Sequence, residues 1–139
     1  MYEKILVAVD RSAKSDRAVA AARDLATLSK GEVWVLHLAE REIIGRAGGE
    51  APIESDAEAE TPVDAAVKTL TDAGVTAHGE LRETVFGHAA KEIIADAKLH
   101  DVGVIIMGSR GRGDMAGLIL GSTAHKVIHL SDRPVLVVH

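Results

Sequence analysis

The sequence has no cysteine, one tryptophan, one tyrosine and one phenylalanine in 139 residues. Without cysteine there are no disulfides, no thiolate zinc site and no thiol nucleophile. Aromatics are 2% of the chain (Tyr2, Trp34, Phe86), which removes the stacking platforms that hold single-stranded nucleic acid. There is no excess of basic residues: 16 Lys and Arg stand against 21 Asp and Glu, a formal net charge of −5. A general footprint for nucleic acid or an anionic membrane is therefore absent. No apolar run approaches the roughly 18 residues of a membrane-spanning helix. The run after Met1–Lys4 is too short for a signal-peptide core, so a cytoplasmic protein is the expectation.

What is present is aliphatic. Hydrophobic residues make up 47% of the chain and charged residues 27%, ordinary values for a folded globular chain of one domain over 1–139. A chain of this length buries roughly 68% of its unfolded surface. Its core must be Val, Ile, Leu and Ala.

Four runs, Ile5–Val9, Val33–Leu36 (extending past His37 to Leu38), Val102–Met107 and Val135–Val138, are continuously apolar with β-branched residues. Lacking polar alternation, they read as strands covered on both faces. A weaker run, Val75–Leu81, alternates in part and reads as a strand nearer a sheet edge. Between them, Ser15–Leu28, Asp56–Ala73, Gly87–Lys98 and Ser122–Leu130 carry apolar residues at helical spacing. Lys30-Gly31 and Gly74 are expected to stop the first two helices. Strict β–α alternation predicts an α/β fold: a parallel sheet with right-handed crossovers and helices on both faces. The stretch 39–62 breaks the rhythm. It holds Gly45, Gly48, Gly49 and Pro52, and the run from Glu50 to Asp64, which passes just beyond its end, has six acids and no Lys or Arg. It reads as a flexible, solvated loop, or a mobile partner-binding segment.

In such sheets ligands sit beyond the carboxyl ends of the strands. The informative strand end is Met107–Gly117, which leads into Leu118–His125. Glycines allow close backbone approach to an anion. Ser122 or Thr123 is placed to cap the last helix, whose N-terminus favours negative charge. Arg110 and Arg112 add guanidinium donors suited to phosphate. The loop is not a Walker A loop, because Gly121 is followed by Ser122 and no Lys, nor is it the dinucleotide fingerprint, which follows a first strand.

With these residues in view the chain resembles the universal stress protein family. The carriers are Gly108-x2-Gly111-x9-Gly121-Ser122, which is similar to the motif of the family's ATP-binding branch, the opening Lys4–Asp10 with Ser12, the strand Val35–Leu38, and the close Arg133–Val138. The chain departs from the family's common Gly-x-Pro at the third helix, where it has Gly87-His88-Ala89. The resemblance implies the adenine nucleotide alpha hydrolase-like fold, a five-stranded parallel sheet in the order 3-2-1-4-5. It implies ATP as ligand, with Mg²⁺ on the phosphates. Asp10 would meet ribose hydroxyls or help hold the cation. The backbone of Leu38 would read adenine, and Ala8 and Val9 would line the ring. Gly108, Gly111, Gly121, Ser122 and Thr123 would bind phosphate, with Arg110 beside them. It also implies a homodimer through the last strand, Val135, Leu136, Val137 and Val138. The function expected is a nucleotide-responsive regulator in stress response with a protein partner. The alternatives are a slow ATPase or phosphotransferase, or a non-nucleotide interaction protein on the same fold.

Other chemistry fits poorly. His125 and His129 share a helix face but lack the Glu of a HExxH motif and a third ligand, so a solvated or dimer-facing pair is expected. Ser109, His37 and Asp10 lack the Gly-x-Ser-x-Gly elbow of a hydrolase. His37 reads as a satisfied core or pocket-rim histidine.

Overall fold

The computed structural model describes residues 1–10, 12–44, 49–52, 56–110 and 120–139. The elements run β1 (Lys4–Ala8), α1 (Ala13–Ser29), β2 (Glu32–Ile44), β3 (Gly49–Pro52), α2 (Asp56–Asp72), β4 (Thr76–Val85), α3 (Ala89–Leu99), β5 (Val104–Gly108), α4 (Ser122–Leu130) and β6 (Val135–Val138).

β1, β2, β4, β5 and β6 form a parallel sheet in the order β4-β2-β1-β5-β6, the expected 3-2-1-4-5. Side chains alternate across it. Ile5, Val7, Val33, Val35, Val104 and Ile106 pack with α1 and α2, through Ala18, Val19, Ala22, Val63, Ala66 and Leu70. Leu6, Leu36, Ile105 and Met107 pack the other way, against Ala90, Ile93 and Ala97 of α3 and Ala124 and Val127 of α4. A strand buried on both faces needs apolar residues at every position, which is why these runs do not alternate.

β2 runs six residues beyond the expected end at Leu38. Its added length pairs with β4 as far as Arg41↔Val85 and then with β3, antiparallel, from Arg41↔Pro52 to Ile44↔Gly49. The described parts of the stretch expected as a loop over 39–62 are thus a strand pair and the first turns of α2. Backbone ladders hold this extension, so its polar residues hid it from a reading based on apolar runs. Arg41 reinforces it with an ion pair to Glu83 on β4. β4 pairs with β2 alone among the described strands, as its partial alternation suggested.

The first helix stops differently from expectation. Lys30, not Gly31, takes the left-handed conformation, at φ 55, and its N–H closes on the Ala26 carbonyl. Gly31 serves a different need: a Cβ there would sit 2.6 Å from the Glu3 carbonyl oxygen, where the chain enters β2 beside β1. At the far end, Arg133 folds back to donate to the carbonyls of Ala97 at 2.9 Å and Val102 at 3.0 Å, tying the approach to β6 onto the end of α3.

Candidate functional site

The chain leaves β1 toward β2 and later returns to β5 on the other flank of β1. Crossovers therefore diverge between β1 and β5, and their carboxyl ends frame the crevice where such sheets take ligands.

On the β1 side, Val9 is buried and gives its N–H to the Leu36 carbonyl at 2.9 Å. Its own carbonyl accepts from Nδ1 of His37 at 2.7 Å. A carbonyl can only accept, so the His37 proton sits on Nδ1. His37 is 5% exposed, the satisfied histidine expected at this strand end. Asp10 follows. Its Oδ1 accepts from the Ser12 N–H at 2.7 Å and from the Ser15 hydroxyl at 2.9 Å, while its N–H donates to Ser15 Oγ at 2.6 Å. This carboxylate thus organises the start of α1. Ala8 is half-buried at the end of β1, and Leu38 is half-buried on β2, paired with Arg82 of β4.

On the β5 side, Gly108 pairs with Val138. A Cβ on Gly108 would lie 2.7 Å from Lys14 Cβ and 3.3 Å from the Lys14 carbonyl carbon. The start of α1 is pressed against this residue, and only glycine leaves the room. Ser109 is 1% exposed, and its N–H donates to the Val138 carbonyl at 2.8 Å. Its carbonyl accepts from the Gly121 N–H at 2.6 Å. That bond sets the amino end of α4 beside the end of β5. Arg110 is half-buried at the loop's start. Gly111 and Arg112 lie outside the described residues.

The cap of α4 corrects one expectation. Gly121 is the N-cap, with φ −70 and ψ 162, and among the described residues no side chain caps the helix. Ser122 and Thr123 fall inside the first turn, one and two residues too late to cap. Ser122 is exposed, Thr123 half-buried and Gly121 buried. The first N–H groups of α4 carry the positive end of its dipole, and among the described residues no side-chain oxygen caps them. The structure thus draws Ala8, Val9, Asp10, Gly108, Arg110, Gly121, Ser122 and Thr123 to one end of the sheet, with Leu38 one strand away. His125 and His129 lie on the exposed side of α4 with rings stacked at 6.4 Å, as a solvated pair.

The universal stress protein family model matches residues 1–139. The chain belongs to the universal stress protein family. It is 32% identical to the universal stress protein YxiE of Bacillus subtilis over 147 residues, covering 99% of each chain. It is 32% identical to the universal stress protein MJ0577 of Methanocaldococcus jannaschii over 157 residues, covering 99% of this chain and 95% of that one. The solved structure of MJ0577 superposes with a TM-score of 0.80, covering 99% and 96%. A universal stress protein solved in complex with cAMP superposes with a TM-score of 0.71 at 25% identity, covering 99% and 97%.

Family membership did not point to a second cluster, on the opposite flank of β2. Trp34, Leu36 and Leu38 of β2 pair with His78, Glu80 and Arg82 of β4. Asp96 of α3 descends onto this row and is 0% exposed. Arg82 comes to 2.6 Å from Asp96 Oδ1, out of line for a hydrogen bond. His100, at the end of α3, puts Nε2 2.6 Å from Glu80 Oε1 and 3.7 Å from Asp96 Oδ1. Its ring stacks on Trp34 at 4.7 Å, and Trp34 also meets His78 at 4.9 Å. Burial, then the neighbouring Glu80, pushes the Asp96 carboxyl up to about 7, against the opposing pull of Arg82 and His100. Burial also pushes Glu80 up, but hydrogen bonds with Asp96 and His100 and the nearby positive charges outweigh it and hold Glu80 below the usual range. One sequence signal existed: Asp96 and His100 are four apart, hence on one helix face. Glu80 is sixteen residues earlier and joins them only through the sheet.

Proposed function

We propose that this chain is an ATP-binding universal stress protein that acts as a dimeric, nucleotide-responsive regulator. The observation that carries the reading is the Gly121 N–H bond to the Ser109 carbonyl. It holds a helix N-terminus that no described side chain caps against the glycine end of β5, an arrangement of backbone donors and dipole suited to phosphate. The cAMP complex of a related universal stress protein supports an adenine nucleotide on this scaffold.

In this reading Gly108, Gly111, Gly121, Ser122 and Thr123 cradle the phosphates and Arg110 adds charge. Ala8 and Val9 line the base, and the Leu38 backbone meets the adenine edge. Asp10 already gives Oδ1 to Ser12 and Ser15, so its carboxylate is fixed in place to accept from ribose hydroxyls. Mg²⁺ would ride on the phosphates, and the Asp10 carboxylate with the hydroxyls of Ser122 and Thr123 supplies the hard oxygen donors that it takes. β6 offers the dimer edge: Val135–Val138 is uncharged, pairs only with β5 among the described strands and leaves Leu136 43% exposed. Such an edge invites pairing with a second copy. Nucleotide occupancy alters partner choice only if one conformation of the protein binds it more tightly.

The test is calorimetric titration of nucleotide-stripped protein with Mg-ATP, beside a Gly121→Val variant shown by circular dichroism to be folded. Saturable binding at one site per chain, lost in the variant, is expected. Absence of binding to the folded parent, or unchanged binding in the variant, would overturn the reading. Sedimentation equilibrium of the same samples reads the dimer.

A further inference from the structure

The cluster between β4 and α3 has a shape that the nucleotide reading does not use. Glu80, Asp96 and His100 each offer one ligand atom, all within 4.8 Å of one another. Two acids and a histidine alone would be ordinary. The second observation is the state of their oxygens. Asp96 is completely buried, and neither Oδ1 nor Oδ2 accepts a hydrogen bond among the described residues. Glu80 Oε2 is buried and accepts none either. Burying carboxylate oxygens unmet is costly.

Arg82 answers only part of this need. Its guanidinium stands at 2.6 Å from Oδ1 of Asp96 and 4.0 Å from Oε2 of Glu80. Oδ2 of Asp96 accepts no hydrogen bond among the described residues. His100 Nε2 is aimed into the same space, on Glu80 Oε1 at 2.6 Å. Its ring plane is fixed from behind by the stack on Trp34.

We propose that Glu80, Asp96 and His100 form a divalent transition-metal site, distinct from the nucleotide end of the sheet. One imidazole nitrogen and two carboxylate oxygens are a donor set suited to Zn²⁺ or Co²⁺. Asp96 Oδ2 and Glu80 Oε2 are the oxygens left for the ion, so Arg82 keeps its place on Oδ1. Binding through Nε2 needs that nitrogen free of the proton it shares with Glu80, a proton that moves to Nδ1 in a neutral ring and to solvent from a charged one. Glu80 and His100 each keep 19% of their side chains exposed, which leaves a way in. The ligands come from the middle of β4 and the last turn of α3, so an ion there would pin that helix end to the sheet edge.

The chain's one tryptophan stacks on the ligand histidine, giving a built-in reporter. Nucleotide-free full-length protein is titrated with CoCl₂, then with ZnCl₂, following Trp34 emission and calorimetric stoichiometry. One ion per chain is expected, with Co²⁺ quenching Trp34 and Zn²⁺ displacing it. Asp96→Asn and His100→Gln, both near-isosteric, are each expected to weaken binding at least about tenfold. A His125→Gln/His129→Gln double variant guards against uptake by the exposed pair on α4 and should bind like the parent. Affinity no tighter than about 1 mM, or affinity unchanged in folded Asp96→Asn and His100→Gln, would overturn the site. Loss of binding only in the α4 double variant would place the ion elsewhere and overturn it equally.

Discussion

The two flanks of β2 present two ways of building a site. Near the carboxyl ends of β1 and β5, the groups brought together are mostly backbone: the Val9 carbonyl, the Ser109 carbonyl, the Gly121 N–H and the first turn of α4. Their side-chain content is small because the chain must come close, as at Gly108 against Lys14. Across β2, the face between β4 and α3 is made of side chains with full or partial charge, arrayed on a regular strand and a regular helix. A backbone site needs particular residues to be absent, since a Cβ or a capping oxygen would fill the space. A side-chain site needs particular residues to be present, and needs the fold to bring them together. The first kind should break on adding atoms, the second on removing charge.

The largest effect expected from that contrast is at Gly108. Valine there would drive its side chain into Lys14 Cβ and the Lys14 backbone and push the start of α1 away from β5. Overpacking of this kind costs about 1–3 kcal/mol. Urea melts should show the loss, and Mg-ATP binding should vanish with it. Co²⁺ quenching of Trp34 should survive, because β4 and the end of α3 do not touch this contact.

A smaller effect is expected from removing charge at the other region. Arg82→Gln leaves buried Asp96 without its ion-pair partner. A fully buried pair broken this way costs about 3–5 kcal/mol, but Arg82 is a third exposed and Asp96 can hold a proton, so about 1–2 kcal/mol is expected. The variant also removes a positive charge from beside the ion. Zn²⁺ should bind it more tightly than the parent and restore its stability, by about 2.7 kcal/mol at a free concentration of one hundred times Kd. Denaturation with and without ZnCl₂ reads both halves. A variant that loses stability but gains nothing from zinc would leave the cluster a structural ion-pair network.

The same contrast governs what the sequence made legible. The five parallel strands and four helices were readable because each carries an apolar run or a helical stripe. The extension of β2 to Ile44 and its pairing with β3 were not, because Glu40, Arg41 and Glu42 are held by backbone ladders that have no side-chain signature. The α4 cap was misplaced by one residue, since a Ser or Thr at a helix start is a common cap and nothing local marks Gly121 as preferred. Glu80 could not be joined to Asp96 and His100 without the register that pairs β4 with β2 and the packing that lays α3 over both.

The smallest effect separates the two roles open to Asp10. Oδ1 takes the Ser12 N–H and the Ser15 hydroxyl, so Asp10→Ala leaves both without their acceptor and should cost about 1 kcal/mol. Asp10→Asn keeps a carbonyl oxygen for those two bonds and removes only the charge, so its stability should stay close to that of the parent. If the carboxylate serves ribose through hydrogen bonds that it accepts, the amide oxygen can still accept one, and Mg-ATP affinity should fall by only a few-fold, about 1 kcal/mol for one neutral bond weakened. If the charge helps hold Mg²⁺, affinity should fall more in the presence of the metal than with ATP in EDTA. Calorimetry of the two variants under both conditions decides between them. Co²⁺ binding at Glu80, Asp96 and His100 should be the same in all of them, because Asp10 lies at the end of β1, on the other side of β2 from that cluster.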